Sequence, residues 1–344
     1  MKFYTSVLPY RGRLLVRGVD KDGAQKKYRI NYKPSLFVPV SKETKYKTLD
    51  GRYVERIKFD SMPEATKWVN EYKNVTNFEY FGNTRHQYPF IADEFKGKID
   101  WDMNQIKLLT IDIECESENG FPSPEKADQP LICITVKDHT TKRIIVFGMG
   151  NFVNDRDDVQ YINCVTETGL VETFTKFWVE YNPDIITGWN VKFFDIPYLM
   201  NRFRYLMGDE WLNQFSPWGI VEQKSASVLF ASREQQVWNI MGVDTLDYLD
   251  LYRKFTFVRR ESYKLDYIGE VELGQNKLDN PYDTFKEFYS NDYQRFVEYN
   301  IQDVELVDKL EDKLQLIALF LTMAYEAKVN YQDVFGQVRI WDCI

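Results

Sequence analysis

Apolar and polar residues alternate along much of the first hundred positions, a pattern with a period of two that predicts β-strands. One hairpin is expected over residues 11–30 and a second over residues 46–57. One helix is predicted from about Pro63 to Tyr72, with Ser61 as its N-cap. Because no set of catalytic side chains occurs here, we interpret residues 1–103 as a β-rich binding or scaffold domain.

Near residue 100 the pattern changes. Three successive strands, followed by alternating helices and strands, predict an α/β fold with a mixed sheet flanked by helices. We place this domain at residues 104–325 and expect residues 326–344 to pack back on the N-terminal domain. The predicted strands are 106–113, 131–136, 143–147, 184–189 and 243–248, with a hairpin over 221–240, and the predicted helices are 170–181, 195–207 and 290 to about 316.

Length and composition indicate a folded protein of more than one domain. The chain has 344 residues, 44% of them hydrophobic, which is enough for two cores. No apolar run reaches the roughly 18 residues of a membrane span, and no signal-peptide layout occurs. The four cysteines lack metal-ligand spacing, which favours reduced thiols in a cytosolic protein. The two histidines lack a surrounding motif, which argues against zinc sites and serine–histidine triads.

Two carboxylates lie at the end of the first strand of the α/β region. Residues two apart in a strand face the same side, so Asp112 and Glu114 project together, while Leu109 and Ile111 face the opposite side. Two like charges at about 5 Å repel by roughly 3 kcal/mol at an effective dielectric of about 20. Bound divalent cations would remove that repulsion. A solvated strand end is the alternative interpretation.

A third carboxylate interrupts the apolar stripe of the last predicted helix. Asp303 falls in line with Phe296, Val307 and Leu310 at helical spacing, and Tyr299 lies one turn earlier on nearly the same face. A carboxylate that faces inward needs a partner. Both a metal ion and a structural hydrogen bond to a buried backbone group stay open.

A fourth carboxylate, Asp195, begins the predicted helix over 195–207. Two interpretations stay open: a helix N-cap, which is common, and a site residue, because α/β sites form where a strand gives way to a helix. Asn190 follows the preceding strand, where it would orient the loop or contact a substrate.

Together these residues resemble the three exonuclease motifs of the tyrosine-bearing DEDD class of proofreading exonucleases. Their order, their spacing and the tyrosine four residues before Asp303 are jointly more specific than any single motif. Other segments resemble family B DNA polymerases of T-even-type bacteriophages, and this resemblance spans nearly the whole chain. The motif segments are 112–114, 189–198 and 299–304, and the other segments are 32–37, 120–122, 187–190, 248–252 and 262–268.

The resemblance implies a ribonuclease-H-like exonuclease domain that removes the 3′-terminal nucleotide of a single-stranded primer end as a monophosphate. Asp112, Glu114 and Asp303 would hold one Mg²⁺, Asp112 and Asp195 would hold a second, and Mn²⁺ would substitute. Tyr299 would orient the attacking water, since an ordinary phenol pKa of about 10 makes it a poor base.

Aromatic and basic side chains are the candidates for contact with DNA, because single strands are held by stacking and by phosphate neutralisation. The resemblance implies that Phe121 wedges against the terminal bases and that the hairpin over 221–240 separates strands. An ordinary loop aromatic and a solvated helix face are the alternatives. The net charge of −8 does not exclude DNA, because binding depends on where positive charges cluster. The candidate contacts are Phe121, Asn190, Arg259, Arg260, Lys264 and Lys277.

The polymerase signatures of that family, an S-L-Y-P-S-like segment and a D-T-D-like loop, do not occur. We therefore expect no palm, fingers or thumb, and no nucleotide incorporation by this chain. It would be an N-terminal half, either a cut piece or one product of a split gene, that works with a C-terminal polymerase half in cis or as a separate chain. The expected location is the cytoplasm of the infected bacterial host, without a membrane partner.

Several partners and functions stay open. Sliding-clamp, single-strand-binding-protein and RNA contacts, the last through residues 1–103, are candidates that the sequence does not decide. One alternative function is a non-catalytic, nucleic-acid-binding half of a split polymerase. Another is a ribonuclease on the same fold, because metal chemistry alone does not distinguish DNA from RNA.

Overall fold

The structure, a computed structural model, describes residues 1–118, 120–227 and 234–336. Within them the chain forms two units, one of residues 1–102 with the described residues from 321 onward, and one of residues 103–320. The sequence pattern predicts boundaries after 103 and after 325.

The first unit contains two three-stranded antiparallel sheets, with strand orders β1-β2-β3 and β4-β6-β5. Both predicted hairpins are confirmed, as β2–β3 and β5–β6. The strands are β1 (Phe3–Tyr10), β2 (Arg13–Val19), β3 (Gln25–Ile30), β4 (Ser35–Pro39), β5 (Tyr46–Lys47) and β6 (Tyr53–Lys58), and the helices are α1 (Met62–Tyr72) and α2 (Gln87–Glu94).

The helix α1 begins where the sequence predicts. The side chain of Ser61 accepts a hydrogen bond from the backbone N–H of Glu64, which satisfies one of the first free donors of the helix. The helix α2 is not predicted, because its N-cap residue, His86, makes no side-chain capping bond and its sequence carries no start signal. Burial of Tyr88, Phe90 and Ile91 accompanies its formation.

The second unit is built on a six-stranded mixed sheet with the order β10-β9-β8-β7-β11-β14. The pairs β7–β8 and β8–β9 are antiparallel, whereas β9–β10, β7–β11 and β11–β14 are parallel. The predicted mixed-sheet α/β fold is confirmed. The strands are β7 (Leu108–Cys115), β8 (Leu131–Asp138), β9 (Ile144–Gly148), β10 (Val159–Asn163), β11 (Ile185–Gly188), β12 (Val221–Ser227), β13 (Glu234–Ile240) and β14 (Asp244–Asp247).

The predicted helix over 195–207 is confirmed at both ends. The expected single helix from 290 to about 316 is wrong, because the chain breaks at Asp292, whose side chain caps a new helix by accepting from the N–H of Arg295. The predicted hairpin forms as β12–β13, and its tip at 228–233 lies outside the described residues. The helices are α3 (Glu167–Tyr181), α4 (Asp195–Met207), α5 (Asp209–Leu212), α6 (Tyr248–Phe255), α7 (Leu265–Leu273), α8 (Phe285–Asn291), α9 (Tyr293–Leu314) and α10 (Leu316–Ala327).

The two faces of the sheet bury different helices, and this places the candidate site. Ile111 and Ile113 of β7 belong to a core formed with α3 and α4. On the opposite face, residues of β8 and β9 pack with Phe296 and Ile301 of α9. Since alternate residues of a strand face opposite sides, Asp112 and Glu114 point toward α9.

Among the described residues, no helix is both long enough and apolar enough to cross a membrane.

Candidate active site

A cavity of about 850 Å³ opens at the end of β7 in the second unit. Its walls come from β7, from the loops that follow β7, β11 and α7, and from the helices α4, α7, α8 and α9. The predicted site residues that line it are Asp112, Glu114, Phe121, Asn190, Asp195, Lys264, Lys277, Tyr299 and Asp303. The structure does not bring Arg259 or Arg260 into this cavity.

Three of the four predicted carboxylates form a cluster. Asp112, Glu114 and Asp303 each place one carboxylate oxygen within 4.8 Å of the others. Among the described residues, Oδ1 of Asp303 is buried and has no hydrogen-bond partner. A set of carboxylate oxygens with one buried oxygen unpaired fits a hard divalent cation, which prefers oxygen ligands.

Asp195 approaches the same cavity from the first turn of α4. Phe194, not Asp195, is the N-cap residue of this helix, so the N-cap interpretation of Asp195 is wrong. The carboxylate instead accepts a hydrogen bond from the backbone N–H of Ile113, at 3.2 Å from Oδ1. It therefore lies beside the strand that carries Asp112 and Glu114, outside the three-carboxylate cluster.

Burial is the largest cause of the raised pKa values of these carboxylates. It raises the pKa of Asp112 well above its ordinary value, and the charges of Asp303, Asp195 and Glu114 raise it further. Burial and the charge of Asp303 raise the pKa of Glu114 to about 8, and burial raises that of Asp195 to about 7. Because carboxylates lose protons when they bind a metal, cation binding here would release protons and depend on pH.

Lys277 supplies positive charge beside the cluster. Its ammonium group forms an ion pair with Oδ2 of Asp303 and lies 3.4 Å from the hydroxyl of Tyr299. Burial alone would lower the pKa of Lys277, but the charge of Asp303 raises it above the ordinary value. Burial also raises the pKa of Tyr299 above its ordinary value, so the phenol keeps its proton at neutral pH.

The loop after β11 is held by a carboxylate that the sequence reasoning missed. Asp247 is buried, and its carboxylate accepts from the backbone N–H groups of Asn190 and Lys192, both at 3.0 Å. Asn190 has a left-handed backbone with φ of 65°. Before this loop, a Cβ atom at Gly188, the last residue of β11, would lie 2.5 Å from the carbonyl oxygen of Ile111, so the close approach of the end of β11 to β7 requires glycine. The available signal was an aspartate at the end of a predicted strand.

Asn300 is the second missed residue. It is fully buried on α9, and its side-chain N–H donates to Oδ2 of Asp112 at 2.5 Å. Its position directly after Tyr299 was the only sequence signal.

The candidate DNA contacts differ in their surroundings. Phe121 is 86% exposed, with its ring centroid 5.4 Å from that of Phe194, so most of its surface is available for stacking. Lys264 is exposed at the cavity wall. Arg260 instead pairs with Glu272 at 2.6 Å.

A model of the exonuclease domain of DNA polymerase family B matches residues 65–268, more than half of the chain. The chain belongs to this family. This match confirms the predicted family and the predicted enzyme class, an exonuclease. The match ends before Lys277, Tyr299 and Asp303, so the assignment of these three residues depends on the geometry of the cavity.

Polymerases of two phages are similar to this family B chain over its whole length. The DNA-directed DNA polymerase of Escherichia phage RB69 is 32% identical, and that of Enterobacteria phage T4 is 30% identical; each match covers 100% of this chain and 40% of the relative. The DNA polymerase delta catalytic subunit of Caenorhabditis elegans is 30% identical over 64% of this chain and 21% of that protein. The chain thus spans about two fifths of the length of its phage relatives.

Proposed function

We propose that this chain is the 3′→5′ proofreading exonuclease portion of a phage replicative DNA polymerase. It hydrolyses the 3′-terminal phosphodiester of a single-stranded primer end and releases nucleoside monophosphates. The observation that carries the proposal is the approach of Asp112, Glu114 and Asp303 to within 4.8 Å of one another, in a cavity of a family B exonuclease domain.

The family and the acidic cluster indicate the use of divalent metal. In the proposal, Asp112, Glu114 and Asp303 would hold one Mg²⁺ and Asp112 and Asp195 would hold a second, and Mn²⁺ would be able to substitute. When bound, two such ions would make the attacking water more acidic and would neutralise charge on the attacking and leaving oxygens of the displacement. All-oxygen ligands suit both metals.

The remaining side chains position the substrate. The protonated phenol of Tyr299 donates a hydrogen bond that orients the attacking water, and Lys277 offsets negative charge beside it. The exposed ring of Phe121 stacks on the terminal base, which contributes on the order of 1–3 kcal/mol per base in single-strand binding. Lys264 neutralises a phosphate, and Asn190 contacts the terminal nucleotide from the loop after β11.

The test is the trimming of a labelled primer with a mismatched 3′ end in Mg²⁺. Asp112→Ala and Asp303→Ala are expected to reduce trimming to the level of a reaction without enzyme, because each removes a ligand of the cluster. Asp209→Ala is the matched control, since this aspartate has an exposed side chain and does not line the cavity. Thermal unfolding establishes that each variant folds. Wild-type rates in folded Asp112→Ala would refute the proposal.

The same assay separates the other functions. Binding of the primer without cleavage in Mg²⁺ would favour a non-catalytic half of a split polymerase, and faster cleavage of a matched RNA strand would favour a ribonuclease. In the proposed setting, the chain acts in the cytoplasm of the infected host with a C-terminal polymerase half, in cis or as a separate chain. Sliding-clamp, single-strand-binding-protein and RNA contacts are further partners to test.

A further inference from the structure

We infer that Asn300 is a positioning residue that fixes the orientation of the Asp112 carboxylate, and that Thr135 in turn fixes the orientation of the Asn300 amide. This inference rests on the proposed function of the cavity. It adds to that proposal a buried chain of hydrogen bonds from β8 through α9 to the metal-binding strand.

The strand register brings the participants together. In the antiparallel pair β7–β8, Thr135 lies opposite Asp112 and Cys133 lies opposite Glu114. Directly opposite residues of paired strands project to the same face. Asn300 enters that face from α9, and the side chains of Asn300 and Thr135 are both fully buried.

The hydrogen bonds define one orientation of the amide. The hydroxyl of Thr135 donates to Oδ1 of Asn300, and the thiol of Cys133 lies 3.4 Å from the same oxygen as a second, weaker donor. With its oxygen satisfied on the β8 side, the amide presents its N–H to Oδ2 of Asp112 at 2.5 Å. With Asp112 in the ionised form that binds a cation, a flipped amide would place its oxygen against a carboxylate oxygen, two acceptors without a proton between them.

One helix therefore carries three different contributions to the cavity. Asp303 brings a carboxylate, Tyr299 brings a phenol, and Asn300 ties a carboxylate of the neighbouring strand to the helix. Hydrogen bonds that orient a ligating carboxylate change metal affinity or activity by about 10- to 100-fold when they are removed. We expect an effect of that size here, since water does not reach a fully buried amide to replace it.

The test compares Thr135→Val, which keeps the shape but removes the donor, with Thr135→Ser, which keeps the hydroxyl. Asn300→Leu removes the amide itself. Thr175→Val is the matched control, because its buried hydroxyl donates to the carbonyl of Val171 and accepts from Nε1 of Trp211, outside the cavity lining. Mn²⁺ affinity, measured by electron paramagnetic resonance, is the readout that does not depend on activity. The half-saturating Mg²⁺ concentration for primer trimming is the second readout.

Asn300→Leu is expected to weaken Mn²⁺ binding by about 10- to 100-fold and Thr135→Val by a smaller factor, while Thr135→Ser and Thr175→Val stay near wild type. A purely structural role would lower the unfolding temperature without changing Mn²⁺ affinity, and that result overturns the inference. If Asn300→Leu does not fold, the comparison of Thr135→Val with Thr135→Ser decides whether the inference holds. If the wild-type chain neither binds Mn²⁺ nor trims the primer, the proposed function is overturned together with this inference. If the wild-type chain does both and the variants bind Mn²⁺ as the wild type does, this inference alone is overturned.

Discussion

The charged side chains around the carboxylate cluster shift the pKa values of its members. The pKa values of Asp112, Glu114 and Asp303 are raised chiefly by burial, and the ammonium of Lys277 lowers all three. Lys277 thus keeps the carboxylates closer to the ionised form that binds a cation.

Replacing Lys277 with methionine removes this charge and keeps much of the side-chain volume. The carboxylate pKa values then rise further, so the acidic limb of the pH–rate profile for primer trimming is expected to move to higher pH. The measurement is the trimming rate against pH at fixed Mg²⁺. Lys286→Met is the control, since Lys286 pairs with exposed Glu118 outside the cavity lining. An unchanged acidic limb would contradict the role given to Lys277.

A second charged cluster lies away from the cavity and is structural. Asp308 is buried and contacts Lys137 at 2.8 Å and Lys142 at 2.8 Å. Burial alone would raise the pKa of Asp308, but hydrogen bonds from His139, Lys137 and Lys142 hold it well below its usual range. A carboxyl whose pKa is depressed on folding stabilises the fold above its unfolded pKa, near about 3.9, and this stability is lost as the pH falls toward the folded pKa.

Asp308→Asn is therefore expected to lower the free energy of unfolding at pH 7 by roughly 3–5 kcal/mol, because buried Lys137 loses its charged partner. The same variant should lose less stability between pH 5 and pH 2 than the wild type does. Urea unfolding at several pH values measures both effects. Asp312→Asn, at a 58% exposed side chain that contacts the same Lys142, is the control and should change stability by less than about 1 kcal/mol.

At the scale of elements, one junction depends on a single side chain. Glu311, in the last turn of α9, is buried and accepts from the backbone N–H of Ile317 at 3.0 Å and of Ala318 at 3.2 Å. These donors belong to the first turn of α10, so the carboxylate of Glu311 caps the start of that helix. The hydroxyl of Tyr248 donates to the same carboxylate at 3.1 Å.

Glu311→Ala is expected to cost about 1–3 kcal/mol of stability, because it removes the carboxylate that accepts from the buried N–H of Ile317 and from the hydroxyl of Tyr248. Tyr248→Phe removes one hydroxyl and keeps both backbone bonds, so its cost should be smaller, near about 1 kcal/mol. Chemical unfolding of the two variants gives the comparison. Equal effects would show that the α9–α10 junction does not depend on these backbone bonds.

The sequence predicts the elements whose signals are local. The alternation around Asp112 gives β7, and the apolar periodicity after Asp195 gives α4 with both of its ends. The short strand β10 was missed because it lies at the sheet edge and buries only Val159. The break between α8 and α9 was missed because Asp292 also fits a continuous helical pattern.

In the candidate site, too, residues with a local sequence signal are predicted and residues without one are not. Asp112, Glu114 and Asp303 stand out because carboxylates occupy positions where burial is expected. Asn300 and Asp247 do not stand out. The role of Asn300 depends on which strand lies opposite its helix, and the role of Asp247 depends on which loop its carboxylate contacts. Sheet order and register decide those neighbours, and a single sequence does not encode them in any short pattern.

At the scale of the whole molecule, the charge balance limits how DNA is held. The chain has a net charge of −8, and the lysines that line the cavity are Lys264 and Lys277, of which Lys277 is already paired with Asp303. Single-strand affinity falls with salt by a slope of about 0.7 per neutralised phosphate. We therefore expect a shallow salt dependence, with stacking on Phe121 contributing much of the affinity.

Lys264→Ala should reduce that slope by about 0.7. Phe121→Ala should instead weaken binding by about the same factor at every salt concentration. Fluorescence anisotropy of a labelled single strand, in an Asp112→Ala background that does not cleave, measures both. Lys33→Ala, at an exposed ion pair with Asp60 in the other unit, is the control. A steep wild-type slope would indicate a larger basic surface than the cavity provides.

The strand β7 pairs with β8 along most of its length, and its residues 108–110 also pair with β11 on the other side. Its amide protons therefore exchange with deuterium only when a large part of the domain opens. A destabilising change elsewhere in the domain would lower the fraction of working molecules and leave the geometry of each folded copy intact. If the chain proofreads as we propose, inherited variants of this kind would raise the error rate of replication in proportion to how often the domain is open, a temperature-sensitive mutator phenotype without any change at the carboxylates themselves.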